Sequence, residues 1–379
     1  MTPREPRTSP IVPSYGESSL ADLSASILAS MTGDQARNVL GLQGAGRVCL
    51  LVVDGLGWEL LRGHQAAAPF LSELAFNSRP LTAGFPSTTA TSLGSIGTAL
   101  PPAAHGVLGY QVAVPGTNRL LNALRWPKDI DPLAWQPKPT LFERAAAGVA
   151  AIHIAPGAYA DSGLTRAVLR GAQYRAAGTM GALAAESVAA LESSERVLVS
   201  AYHGDLDAVG HGFGVSSPAW TYQLAHVDRL AEQIAQALPF GAVLYVTADH
   251  GMVNVAPEDK VDADLVPELR AGVALLGGEP RARHVYARPG AAADVLAIWR
   301  EVLGERAWVA SREEAISYGW FGPPDYSVTD RIGDVVAAAT GTTAIIASHA
   351  EPKESGFTGQ HGSLTSAEQL VPMLAYAAP

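Results

Sequence analysis

The sequence predicts an α/β fold: a mostly parallel sheet with helices on both faces and a small α+β subdomain inserted late in the chain. Three observations predict it. Short apolar, β-prone runs alternate with longer Ala- and Leu-rich stretches. The 379 residues are 48% hydrophobic and 16% charged, a composition able to bury a sizeable core. Polar residues gather where the apolar runs end, and in open α/β sheets that is where ligands bind.

Taken in order, residues 1–17 are rich in Pro and Ser and read as a mobile tail, and Leu20 to Met31 reads as a short amphipathic helix capped by Ser18 or Ser19. The ordered core begins near residue 46. Its strands are predicted at Val48–Val53, Val149–Ile154, Val197–Ala201, Ala242–Thr247 and Thr343–Ala347, with helices such as Thr179–Leu191 and Ser217–Leu238 between them. Between 253 and 342 the pattern changes to strand (Arg283–Ala287), helix (Ala291–Leu303), strand (Ala307–Ser311) and then the Gly/Pro/aromatic segment YGWFGPPDYS. The expected division is therefore a core of residues 18–252 and 343–379, with 253–342 as the inserted subdomain.

The formal charge of −10 comes without acidic or basic blocks, so neither a nucleic acid nor an anionic membrane is an expected partner. The N-terminus lacks the apolar run of a signal peptide, and no run approaches membrane-spanning length; a cytoplasmic location is expected. Cys49, the only cysteine, lies in the apolar run VCLLVV and reads as core.

The predicted strand ends carry an unusual set of residues. Asp54 follows the first strand, Asp207 and His211 follow the third, Asp249 and His250 follow the fourth, and His361 comes after the last. Carboxylate oxygens and imidazole nitrogens are ligands for Zn²⁺ and related ions, at distances of about 2.0–2.2 Å. Three Asp and three His exceed what one zinc requires, so the set points to two ions. A two-ion site suits in-line phosphoryl displacement, because it stabilises both the attacking and the leaving oxygen. The segment Phe85 to Gly97 offers several hydroxyls at a predicted helix N-terminus, where backbone N–H groups favour phosphate.

These motifs match a family. From about Val48 to its end the chain resembles the nucleotide pyrophosphatase/phosphodiesterase branch of the alkaline phosphatase superfamily. The resemblance rests on Asp54 in LLVVDGLG, Pro86-Ser-Thr-Thr89 placed 16 residues before His105-Gly106, Asp207-x-x-Gly-His211, Asp249-His250-Gly251 and His361-Gly362. It implies an alkaline-phosphatase-like core and Thr89 as nucleophile, passing through a covalent phosphothreonine. It also implies one zinc on Asp207, His211 and His361 and another on Asp54, Asp249, His250 and the Thr89 oxygen, with Mn²⁺ or Fe²⁺ able to replace zinc. The implied partner is a small phosphoryl substrate, such as a nucleotide.

The chain departs from the family at Tyr110, where many members carry an Asn that binds a phosphate oxygen. No Arg of the kind that clamps a dianionic monoester lies near Thr89, which favours a diesterase. Thr88 is the neighbouring alternative to Thr89. Tyr110 and Tyr159 are candidate substrate contacts, as is the Trp320-Phe321 pair, and packing explains each equally well. His105 reads as structural; His203 and Asp205 shape the Asp207 loop; His64, His153, His226, His284 and His349 read as structural or surface residues. Position 60 is Leu, which breaks a dinucleotide glycine loop, and no G-x-S-x-G elbow occurs. The competing activities are a phosphonate hydrolase or phosphomonoesterase on the same metals, and a silent metal- or nucleotide-binding module.

Overall fold

The computed structural model describes residues 9–145 and 148–378. Its longer strands, in chain order, are β1 (Arg47–Val53), β2 (Ala150–Ala155), β3 (Gln173–Ala176), β4 (Val197–His203), β5 (Ala242–Thr247), β6 (Val273–Glu279), β7 (Ala282–Ala287), β8 (Ala307–Ser311), β9 (Val335–Ala339) and β10 (Leu374–Ala377). The helices that matter most are α1 (Leu20–Thr32), α2 (Thr89–Thr98), α3 (Met180–Glu192), α4 (Asp205–Phe213), α5 (Pro218–Gln236) and α6 (Ala292–Leu303).

Six strands form the main sheet in the order β10-β5-β1-β4-β2-β3. All pairs are parallel except β10 on β5. β1, RVCLLVV, is buried from its second residue onward, the apolar run expected of a central strand covered on both faces. Cys49 is part of that buried strand. The register pairs Val53 with His203 and Val52 with Thr247, so β1, β4 and β5 run out at the same edge. That register places the polar residues following all three strands side by side.

Helix signals in the sequence are realised with side-chain caps. The Asp22 carboxylate accepts from both the backbone N–H and the hydroxyl of Ser19 at the start of α1. The Ser217 hydroxyl accepts from Trp220 N–H in front of α5, which has Pro218 at its first position and buries Trp220, Leu224, Val227, Ala231 and Ile234 at three- and four-residue spacing.

Two expectations change. Residues 9–17 are laid against the body: Ile11 N–H donates to Leu364 O, and the Tyr15 hydroxyl donates to Trp320 O while accepting from Phe85 N–H. A phenol with both hydrogen-bonding roles met inside the fold anchors a Pro/Ser-rich segment that composition alone reads as a tail; residues 1–8 lie outside the described residues. The run 343–347 is not a strand of the main sheet. Its Ala344–Ile346 pairs in parallel with Lys260–Asp262, and the remaining position in the main sheet is filled by β10.

The segment 253–342 contributes the second sheet, β6-β7-β9-β8, antiparallel throughout. It has its own apolar cluster under α6, including Val285, Val295, Trp299 and Leu303. It is tied to the rest of the chain by a buried ion pair in which Arg281 donates through Nε and Nη2 to the Glu368 carboxylate at 2.9 and 2.5 Å. Glu368 also accepts from Ser363 N–H at 3.0 Å and from the Thr365 hydroxyl, and its backbone carbonyl accepts from Gly251 N–H.

Candidate metal centre and active site

At the shared edge of β1, β4 and β5 the side chains form two clusters, Asp54 with Asp249 and His250, and Asp207 with His211 and His361; within each, one possible ligand atom per residue lies within 4.8 Å of the others. Sequence spacing brings only neighbours together. Two glycines allow the rest. Gly55, at φ +75°, is so close to Asp207 that an added Cβ would stand 3.1 Å from the Asp207 Cβ. At Gly251 an added Cβ would stand 1.9 Å from Ala367 O, so glycine is required there for close approach.

The inner cluster is buried, with Asp54 on the wall of a cavity. Asp249 Oδ1 accepts from Gly55 N–H and His250 N–H at 3.1 and 3.0 Å, which fixes the carboxylate and leaves Oδ2 3.5 Å from His250 Nε2. Asp54 Oδ2 accepts a short hydrogen bond from the Tyr202 hydroxyl, while its Oδ1 lies 3.2 Å from His250 Nε2. Thr89 is the first residue of α2. Its Oγ1 is 3.5 Å from Asp54 Oδ2 and 3.4 Å from His250 Nε2. The Ser92 hydroxyl donates to Asp249 O at 2.6 Å and pins the helix to the end of β5.

The outer cluster has Asp207 and His211 on successive turns of α4, with Asp207 Oδ2 3.3 Å from His211 Nε2 and Oδ1 3.8 Å from His361 Nε2. The His361 ring stacks on His250 with centroids 3.6 Å apart, joining the two clusters.

Two observations test whether divalent ions fit. Asp54 Oδ1, Asp207 Oδ1 and Asp249 Oδ2 are buried oxygens with no hydrogen-bond partner, a costly condition that a cation relieves. Each histidine turns Nδ1 to a backbone carbonyl, of Gly359 for His211, Gly251 for His250 and Ser87 for His361, at 2.7 to 3.0 Å. A Nδ1–H donated to a carbonyl leaves Nε2 as the lone-pair nitrogen, the second-sphere arrangement of metal-ligating histidines. The residues fit.

The electrostatics agree. Burial and the neighbouring Asp207 charge push the Asp54 carboxyl up to about 8. Burial, with Asp54 beside it, holds Asp249 well above the usual carboxylate range. Burial opposes ionisation of Asp207 too, but the His211 and His361 charges outweigh it and hold that carboxyl low. Burial and the His250 charge drive His361 well below the ordinary imidazole value. Carboxylates this close resist ionising together, and divalent cations among them reverse that preference.

Two cavities open on Thr89. The larger, about 520 Å³, is lined by Tyr110, His211, Glu279, Phe357 and His361, with the exposed Arg125 and Lys353 also on its wall. The smaller, about 260 Å³, is lined by Leu93, Ala155, Leu164, Leu169 and Tyr202. Thr89, Leu124, Tyr159 and Asp207 border both. Tyr110 is half-buried and donates its hydroxyl to Glu354 at 3.1 Å, and Tyr159, 48% exposed, sets its ring edge-on to Tyr202.

Other candidates fall away from the chemistry. Trp320 and Phe321 are buried against Phe85. His105 is buried, with Nδ1 accepting from Val107 N–H and Nε2 3.2 Å from the Ser95 hydroxyl; burial and Arg331 push its pKa down to about 3. His203 lies 3.3 Å from the Gln223 amide nitrogen and 3.9 Å from Asp205. Thr88 is the N-cap residue of α2; it lines the larger cavity next to Thr89, and its hydroxyl favours the charged form of Glu279. Two residues had drawn no attention in the sequence: Tyr202, whose hydroxyl reaches Asp54, and Glu279, which the second sheet delivers to the larger cavity.

Residues 48–364 match the type I phosphodiesterase / nucleotide pyrophosphatase family. The fold is similar to murine ectonucleotide pyrophosphatase / phosphodiesterase 5 in an inactive form bound to AMP, with a TM-score of 0.69 and 19% identity over 87% of each chain. It is also similar to the human form of that protein, with a TM-score of 0.67 and 19% identity over 87% of each chain. A third similar structure is phosphonoacetate hydrolase from Sinorhizobium meliloti 1021 bound to phosphonoformate, with a TM-score of 0.65 and 19% identity over 88% of this chain and 90% of that one. No curated protein matches the sequence.

Proposed function

The chain belongs to the type I phosphodiesterase / nucleotide pyrophosphatase family and is a hydrolase of phosphoric ester or anhydride bonds; from that premise we propose a metal-dependent phosphodiesterase or nucleotide pyrophosphatase with Thr89 as nucleophile. The observation that carries this reading is the place of Thr89. Its hydroxyl stands 3.5 Å from Asp54 and 3.4 Å from His250 at the N-terminus of α2, where two cavities meet.

Asp54, Asp249, His250 and the Thr89 oxygen would hold one zinc, and Asp207, His211 and His361 the other; Mn²⁺ or Fe²⁺ suits the same donors. Bound there, such ions lower the pKa of a coordinated hydroxyl and neutralise charge on phosphoryl and leaving oxygens. Thr89 Oγ1 forms a bond to phosphorus as the ester oxygen opposite departs, giving a phosphothreonine. Water then attacks phosphorus and releases the Thr89 hydroxyl. The free N–H groups in the first turn of α2 face the phosphoryl oxygens and favour their charge.

A phosphorus seated over Thr89 has room for a substituent in each cavity, as a diester requires. Tyr159 stands on the boundary and offers a ring to a nucleobase or other flat group. A second reading, phosphonate hydrolysis, is favoured by Arg125 and Lys353, which could hold a second anionic group in the larger cavity. The test is metal-dependent hydrolysis of bis(p-nitrophenyl) phosphate, p-nitrophenyl phosphate and phosphonoacetate by one metal-reconstituted sample. Preference for the diester is expected; faster turnover of the monoester or the phosphonate would overturn the diesterase reading.

A further inference from the structure

Glu279 ends β6 and is 6% exposed, yet it lines the larger cavity together with Thr89 and His361. Its Oε1 is a buried oxygen without a hydrogen-bond partner, while the Thr88 hydroxyl beside the carboxyl favours its charged form. The basic side chains nearest it in sequence are committed elsewhere, Arg281 to Glu368 and Arg283 to Ile345 O and Glu351. Its other oxygen lies 4.0 Å from His361 Nδ1, the nitrogen already bonded to Ser87 O, so the carboxyl faces the back of that imidazole and not its ligating edge. Space is kept for it. A Cβ on Gly362, at φ +133°, would stand 2.9 Å from Glu279 Cγ.

Arg125 and Lys353 on the wall of the same cavity carry the opposite charge, so Glu279 disfavours an anion only at its own buried position, where an unpaired acceptor is costly until a donor arrives. The opposite cavity has a wall of Leu93, Leu124, Leu164 and Leu169 beside polar residues such as Asp54, His153 and Ser162, and its leucine wall suits an apolar or aryl group. We propose that Glu279 reads the substrate: its Oε1 accepts a hydrogen bond from a hydroxyl or ammonium group on the phosphorus substituent that occupies the larger cavity. The preferred substrates are then diesters with one apolar or aryl arm and one short arm ending in a hydroxyl or amine. The inference rests on the phosphodiesterase reading for its reaction, but the recognition it describes can be measured without turnover.

The experiment compares kcat/KM for the 2-hydroxyethyl, 2-aminoethyl and ethyl esters of p-nitrophenyl phosphate, using metal-reconstituted wild type, Glu279→Gln and Glu279→Leu. Wild type is expected to favour both donor-bearing esters over the ethyl ester by about tenfold or more, since a pocket built around an acceptor rejects an analogue without the donor. Glu279→Leu should shrink both ratios to within about twofold. Glu279→Gln keeps an acceptor oxygen and should retain the hydroxyl preference while losing most of the ammonium preference. Ratios near one in wild type, or ratios unchanged in the Leu variant, overturn the proposal; if the Leu variant fails to fold, the Gln variant decides alone. If wild type hydrolyses no diester, the phosphodiesterase reading fails. Glu279 is then judged by calorimetric binding of 2-aminoethyl phosphate against ethyl phosphate, and equal affinities overturn it.

Discussion

Asp54, Asp249 and His250 are buried at the ends of central strands, whereas Asp207 and His211 are only partly covered on a helix that follows the neighbouring strand. Both clusters draw on the same donor types, yet the inner one is held by backbone N–H groups and the nucleophile helix, and the outer one faces the larger cavity. The difference teaches that one donor set can serve two tasks. A rigid, buried position keeps the nucleophile and its activating charge in register, and an open one leaves room for substrate and water to come and go.

The largest expected effect is at the nucleophile that only the inner cluster touches. Thr89→Ala should lower turnover by about three orders of magnitude or more, with bound metal, counted by elemental analysis, close to the wild-type value. Turnover within tenfold of wild type would remove Thr89 from its role and dissolve the division of labour.

Metal removal should separate the clusters next. With a chelator, metal is expected to leave in two phases, and His211→Ala should abolish the fast phase while sparing the slow one. Asp249→Asn should eliminate the slow phase. One common phase in wild type would mean that the clusters act as a single unit.

The smallest effect concerns the phenol that supports the inner cluster. Tyr202→Phe removes the hydroxyl donated to Asp54 and should weaken the inner ion by about 10- to 100-fold. Isothermal titration of the apoprotein would measure this, and the weaker phase should be unchanged.

How much of this was legible in the sequence follows from which residues are neighbours in the chain. The central strands announced themselves because parallel strands buried on both faces must be apolar throughout, and most ligands did because Asp54, Asp249 and His250 sit within three residues of those strand ends and Asp207 and His211 on the helix that follows one. The strand Ala344–Ile346 was misplaced because a short apolar run fits any sheet, and only the folded chain chooses Lys260–Asp262 as its partner. β10, with the mixed sequence LAYA at an edge, lacks such a run and gave no signal. Tyr202 was visible beside Asp207, but its role depends on a contact across strands with Asp54. Glu279 follows two glycines and reads as part of a turn; its place in the cavity exists only once the second sheet has docked. Tyr15 shows the same limit from the other side, since a segment with disordered composition is held by hydrogen bonds of Ile11, Ser14 and Tyr15 to distant parts of the chain.

Glu368 carries a consequence for how such a protein can change over evolutionary time. Its carboxylate grips Arg281 of the second sheet and Ser363 in the loop after His361, while its carbonyl grips Gly251 beside His250. The second sheet is therefore no detachable ornament. Exchanging it for another module would strand a buried charge and loosen both histidine loops in the same event. Descendants of this chain should vary the sheet's rim and cavity-facing side chains freely, while the Arg281–Glu368 pair passes on intact or is lost only together with the catalytic centre.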